Sequence, residues 1–146
     1  TGAPLGGEMS GHIFFKDRWF GFDDGLYSGA RLLELLTREA DPSALMNALP
    51  QSDSTPELHL HLNEGENVEL IEKLRTGATF TGAKRIITSD GLRVEYADGF
   101  GLARSSNTTP VVVMRFEAES PEALSRIQAE FRRVIVAAKP DAQLPF

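Results

Sequence analysis

Between Pro50 and Pro56 the chain reads Gln51-Ser52-Asp53-Ser54-Thr55, a stretch with no apolar side chain to bury. Polar segments bracketed by prolines are where domains are commonly joined, because nothing in them can serve a hydrophobic core. The sequence therefore divides into residues 1–50, a hinge over residues 51–56, and residues 57–146. A chain of 146 residues is expected to form one or two small domains. As a single folding unit it would bury roughly 68–70% of its unfolded surface.

The first piece reads as a strand, a loop and a helix. Gly7 to Phe15 begins polar and glycine-rich and ends in Ile13-Phe14-Phe15, like a strand entering a core. Asp23 or Asp24 is a good N-cap for a helix from about Gly25 to Arg38. Its apolar positions, Leu26, Ala30, Leu33 and Leu36, are near helical spacing, with Leu32 and Leu35 widening that face. Paired aspartates can do acid–base or metal chemistry, but at a helix start capping and macrodipole compensation are the better reading. A short helix near Ser43 to Leu49 follows Pro42.

The second piece opens with Glu57-Leu58-His59-Leu60-His61-Leu62, a strict alternation that predicts a half-buried strand. His59 and His61 share a face, but no other His or Cys lies nearby, so a solvated face is favoured over a zinc site. Val68, Ile71 and Leu74 mark a short amphipathic helix. Ser89-Asp90-Gly91 is a turn between strands at 85–88 and 92–96, and Ala97-Asp98-Gly99 leads into another at 100–103. Val111 to Phe116 is an apolar, β-branched strand, and Ser120-Pro121 opens a helix with an N-cap and an N1 proline. Leu124, Ile127, Phe131 and Ile135 form its core stripe, leaving Arg126, Arg132 and Arg133 to solvent. The expected class is α+β, an antiparallel sheet with helices on one face.

Two segments carry chemistry. Arg104-Ser105-Ser106-Asn107-Thr108-Thr109-Pro110 packs one guanidinium, four hydroxyls and an amide together, with no carboxylate between Asp98 and Glu117. Arginine meets phosphate oxygens with a planar fork, and Ser, Thr and Asn add neutral donors. A tight turn can also aim backbone N–H groups at the same oxygens. The plain alternative is a polar loop between strands. Gly6-Gly7-Glu8-Met9-Ser10-Gly11-His12 sets a carboxylate, a hydroxyl and an imidazole at alternate positions. In an extended segment Glu8, Ser10 and His12 would share one side, where carboxylate and hydroxyl could meet neighbouring sugar hydroxyls. Histidine could move a proton near neutral pH. For His12 alone, a hydrogen-bonded structural histidine is the competing reading.

G-E-M-S-G-H at 7–12, F-G-F-D-D-G at 20–25 and R-S-S-N-T-T-P at 104–110 together resemble the α-D-phosphohexomutases. Within them the closest likeness is to the bacterial phosphomannomutase/phosphoglucomutases. Phosphoglucosamine mutases, the alternative subgroup, tend to carry Gln in place of Met9 and Gly in place of Asn107. The resemblance runs through the whole chain. It implies the end of the family's third domain (residues 1–50), a remnant of an α/β domain, and then its fourth (57–146), with a TATA-box-binding-protein-like fold. The phosphoserine loop and the D-G-D-G-D-R-type magnesium loop are not in this sequence, so the chain is expected to be a fragment, inactive alone. In the complete enzyme the resemblance implies Mg2+, with no ligands from this chain, and interconversion of hexose 1- and 6-phosphates through a bisphosphate. Arg104, Ser106, Asn107 and Thr108 would hold the unreactive phosphate. Glu8 and Ser10 would hold the sugar's 3- and 4-hydroxyls, and His12 would be a candidate acid or base. Partners would be mannose and glucose phosphates and the missing N-terminal domains. The alternative is an inert phosphosugar-binding fragment or isolated domain piece.

The 15 basic and 21 acidic residues argue against general binding to nucleic acid or anionic membrane. No apolar run approaches the ~20 residues needed to span a bilayer, and no signal peptide opens the chain. A start at Thr1 suits an excised product. The absence of cysteine excludes disulfides and fits a cytoplasmic origin. Asn107-Thr108-Thr109 matches a glycosylation sequon, discounted without a secretory context.

Overall fold

A computed structural model describes residues 2–8 and 10–146; Thr1 and Met9, the latter one of the positions that separate the subgroups, lie outside the described residues. The chain divides into two compact units, residues 1–50 and 51–146.

In the first unit β1 (Leu5–Gly7) and β2 (Ile13–Phe15) pair antiparallel, with Leu5 opposite Phe15 and Gly7 opposite Ile13. The single strand expected over 7–15 is thus a hairpin, and Glu8, Ser10 and His12 lie in its turn rather than along one extended side. The backbone shows why. Gly11 takes φ +89° and donates its N–H to the Glu8 carbonyl at 3.0 Å, while the Glu8 N–H reaches the His12 carbonyl at 2.9 Å. Glycine enters that left-handed region without steric cost, so a turn wins over extension. The helix α1 (Gly25–Leu36) is capped by Asp24, whose carboxylate accepts from the Tyr27 N–H at 2.9 Å. A shorter α2 (Pro42–Asn47) starts with proline and is capped by Asp41. Trp19 stacked on Tyr27 at 4.2 Å and Phe15 edge-on to Tyr27 at 5.5 Å order the unit. Neither helix has a fully buried side chain, and Leu26 is 88% exposed.

The second unit runs β3 (Asp53–Ser54), β4 (Leu58–His61), α3 (Glu66–Gly77), β5 (Arg85–Ile87), β6 (Leu92–Glu95), β7 (Gly99–Ser105), β8 (Val111–Ala118) and α4 (Pro121–Ala138). The sheet is antiparallel in the order β3-β8-β7-β6-β5, with β4 also pairing along β8. Residues 51–56, read as a hinge, are not an unpaired tether. Asp53 and Ser54 face Ala118 and Glu117 across the sheet, and the Thr55 N–H bonds to the Phe116 carbonyl at 3.0 Å. A polar segment needs no apolar side chain to pair through its backbone, so composition could not reveal this strand.

Alternation along the strands sorts the two faces. Leu92, Ala103, Met114 and Leu58 stand in one cross-strand row, and Val94, Gly101 and Phe116 in the next. These rows form one core with Leu70, Ile71 and Leu74 of α3 and with Ala123, Ile127, Phe131 and Ile135 of α4. Both helices therefore cover the same face, and Gly101 leaves space for the Phe131 ring to approach β7. The other face carries the row His59, Val113, Arg104. Among the described residues no helix is long and apolar enough to cross a membrane.

Candidate functional site

The polar segment of the second unit connects β7 to β8. Arg104 and Ser105 still belong to β7, opposite Val113 and Val112, so strand pairing fixes their backbone. Arg104 stands on the helix-free face and is half-buried. On neighbouring strands Arg93 pairs with Glu95 at 3.0 Å and Arg115 with Glu117 at 3.8 Å. Arg104 makes no such ion pair with any described residue. A partly desolvated guanidinium without a carboxylate is poised for an incoming anion.

Ser106 organises the loop beyond it. Its N–H donates to the Val111 carbonyl at 2.9 Å, continuing the β7–β8 ladder by one residue. Its hydroxyl accepts from the Thr108 and Thr109 N–H groups, both at 3.3 Å, and from the Thr109 hydroxyl at 3.1 Å. The Thr108 hydroxyl lies 3.4 Å away. Two of the backbone N–H groups expected to point at an anion are therefore turned inward, and Thr109 supports the loop's shape. Asn107 and Thr108 are exposed at its tip. On the helix side, Ser106 to Thr109 together with Glu64, Gly65, Asn67 and Val68 line a cavity of about 260 Å³. The fold thus brings a carboxylate, Glu64, near a segment that contains none of its own.

In the first unit the hairpin turn brings Glu8 and Ser10 together, the serine hydroxyl donating to the Glu8 carboxylate at 3.2 Å. Both are exposed. His12 is held by a residue whose part the motif spacing did not disclose: its Nδ1 lies 2.6 Å from Oδ2 of Asp23. Asp23 reaches it because its backbone bridges to Phe14 of β2, while the next residue caps α1. The paired aspartates thus divide their work, one capping and one orienting an imidazole. The hydrogen bond that Asp23 accepts, then its charge, raises the His12 pKa above the usual 6.5, with a smaller contribution from Glu8. A histidine held by a carboxylate through one nitrogen presents the other for proton transfer.

His59 hydrogen-bonds to Glu57 at 2.9 Å, and its ring lies 6.4 Å from that of His61. No group of three or more His, Cys, Asp or Glu side chains is placed to hold a metal ion among the described residues.

Known proteins match both units. The family model for the phosphoglucomutase/phosphomannomutase α/β/α domain III matches residues 1–52, and that for the C-terminal domain of the same family matches residues 57–134. The chain is 62% identical over 136 residues to a phosphoglucomutase from Neisseria meningitidis serogroup A, covering 92% of this chain and 30% of that protein. It is 50% identical over 147 residues to a phosphomannomutase/phosphoglucomutase from Pseudomonas aeruginosa, covering 100% of this chain and 32% of that one. A probable phosphoglucosamine mutase from Methanocella arvoryzae is 29% identical over 133 residues, covering 91% of this chain and 30% of that protein. A crystal structure of a phosphoglucomutase/phosphomannomutase family protein from Burkholderia thailandensis superposes with a TM-score of 0.92 at 70% identity, over 100% of this chain and 31% of that one. The chain spans about a third of the length of these relatives. With both units matched by domains of one family, the chain belongs to the phosphoglucomutase/phosphomannomutase family of α-D-phosphohexomutases and corresponds to their C-terminal part.

Proposed function

We propose that the complete protein interconverts hexose 1-phosphates and hexose 6-phosphates through a bisphosphorylated sugar, and that this chain supplies substrate recognition. The observation that carries the reading is Arg104, half-buried, without a carboxylate, at the mouth of a hydroxyl-rich loop. Arg104, Ser106, Asn107 and Thr108 bind the phosphate that is not reacting. Ser106 does so with its hydroxyl hydrogen, since its oxygen already accepts from the loop. Glu8 and Ser10, joined in one hydrogen-bonded pair, hold two neighbouring sugar hydroxyls. His12, oriented by Asp23, exchanges a proton with the reacting hydroxyl.

A substrate that must bind in two orientations needs contacts indifferent to which end carries the reacting phosphate. Neutral hydroxyls and one arginine meet that requirement better than a shape-specific pocket. The phosphoserine donor and Mg2+ belong to other parts of the protein, and the whole works in the cytoplasm. Names of the more similar relatives favour glucose and mannose phosphates over glucosamine phosphate as substrates. By itself the chain binds phosphosugar without turning it over.

The test is kinetic. In the complete protein, Arg104→Ala should raise KM for both glucose 1-phosphate and mannose 1-phosphate, and Arg104→Lys should restore part of the loss, because Lys returns charge but not the planar fork. Wild-type KM for both sugars in Arg104→Ala would overturn the reading.

A further inference from the structure

Asn67 is the one buried side-chain amide among the described residues, 5% exposed at the start of α3. Asparagine is a poor helix former, and a buried amide must find partners. Its Nδ2 donates to the Ser106 carbonyl at 3.1 Å, across 39 positions of sequence. The acceptor belongs to the residue whose hydroxyl organises the turn and whose N–H ends the β7–β8 ladder.

The consequence follows from amide geometry. The carbonyl of Ser106 and the N–H of Asn107 share one peptide plane and point in opposite directions, since no cis peptide occurs among the described residues. Drawing the carbonyl towards α3, on the helix-covered side, sends the Asn107 N–H towards the other side, where Arg104 stands. It also turns away a carbonyl oxygen that would repel phosphate. We propose that Asn67 is a positioning residue for phosphate recognition: it sets the 106–107 peptide so that the Asn107 N–H joins the Arg104 guanidinium on a phosphate oxygen. This rests on the reading of the 104–110 loop given above.

Steady-state kinetics of the complete protein with glucose 1-phosphate test it. Asn67→Leu keeps the branched shape and removes the donor; Asn67→Ala, which needs no new packing, serves if the leucine variant does not fold. Each should raise KM roughly tenfold with kcat within about twofold of wild type, the pattern of lost uniform binding. Asn67→Asp, which sets a carboxylate against the carbonyl, should be worse than either. A residue that merely staples α3 to the loop would lower thermal stability and leave KM alone. Unchanged KM in a folded Asn67→Leu or Asn67→Ala overturns the proposal. Arg104→Ala run beside them tells which idea has failed: if it raises KM while the asparagine variants do not, only the role of Asn67 falls, and if it too leaves KM unchanged, the reading of the loop falls with it.

Discussion

Gly91 closes the turn between β5 and β6 at φ +75°, against the backbone that carries Arg104. A Cβ there would lie 2.5 Å from the Ala103 carbonyl oxygen, 2.6 Å from the Arg104 Cβ and 2.8 Å from the Arg104 Cα. None of these atoms is the end of a flexible side chain, so Gly91→Ala must move the strand or the turn. Left-handed backbone costs a non-glycine residue about 1–2 kcal/mol. Overpacking against a fixed wall costs about 1–3 kcal/mol more. The expected loss is thus about 2–5 kcal/mol against a total stability of about 5–15 kcal/mol for a domain, a large share of what holds the unit folded. Native-state hydrogen exchange at Leu92, Ala103 and Met114, all in the sheet core, reads the loss where it arises, and is independent of the first unit. The same samples titrated with inorganic phosphate should show weaker binding, because the displaced backbone carries the guanidinium. A loss below about 1 kcal/mol with unmoved Arg104 amide resonances would show that the turn gives way freely and that its glycine has no part in placing Arg104.

Three further expectations follow. His12 should titrate above 6.5 by NMR, and Asp23→Asn should bring it down towards that value. Its pairing stabilises the fold fully below the unfolded pKa of about 6.5, and the gain disappears as pH rises through the higher folded value; a midpoint at or below 6.5 in the wild type contradicts the dyad. Glu8→Ala in the complete protein should lower kcat/KM for glucose and mannose substrates alike, by roughly tenfold or more for a lost charge-assisted bond, and unchanged values for both would remove Glu8 from the sugar contacts. Tyr96 is 7% exposed and its hydroxyl finds no partner among the described residues, burial pushing its pKa up to about 12. Tyr96→Phe should therefore be neutral or stabilising by up to about 1 kcal/mol in denaturant melts, and a clear loss of stability would expose a partner for the hydroxyl.

Much of the second unit was legible because its strands alternate and α4 carries a cap. Ser120 accepts from the Ala123 N–H at 3.2 Å, as expected of an N-cap before Pro121. The Leu92 and Val94 alternation faces the core. What escaped was set by pairing over distance. β3 has no apolar signature, because a two-residue edge strand needs only backbone groups. The hairpin at 5–15 was hidden by glycines, which are compatible with both extension and reversal. The candidate site residues were visible by type, but their arrangement was not. Asp23 and His12 are 11 positions apart and meet only because the chain between β2 and α1 returns on itself. Asn67 carried no signal at all in a helix read for Val68, Ile71 and Leu74.

Arg104, proposed above as a phosphate ligand, does not itself stand on a loop. β7 lies between β6 and β8, so the main chain beneath Arg104 is already ordered before any ligand arrives. The conformational entropy surrendered on association then comes from one long side chain and the few residues from Ser106 to Pro110, rather than from a mobile lid. A site assembled this way spends little of its intrinsic affinity on becoming ordered. Under the function proposed above, such a site would release and recapture the same phosphate quickly, as an intermediate that turns around between two halves of a reaction requires.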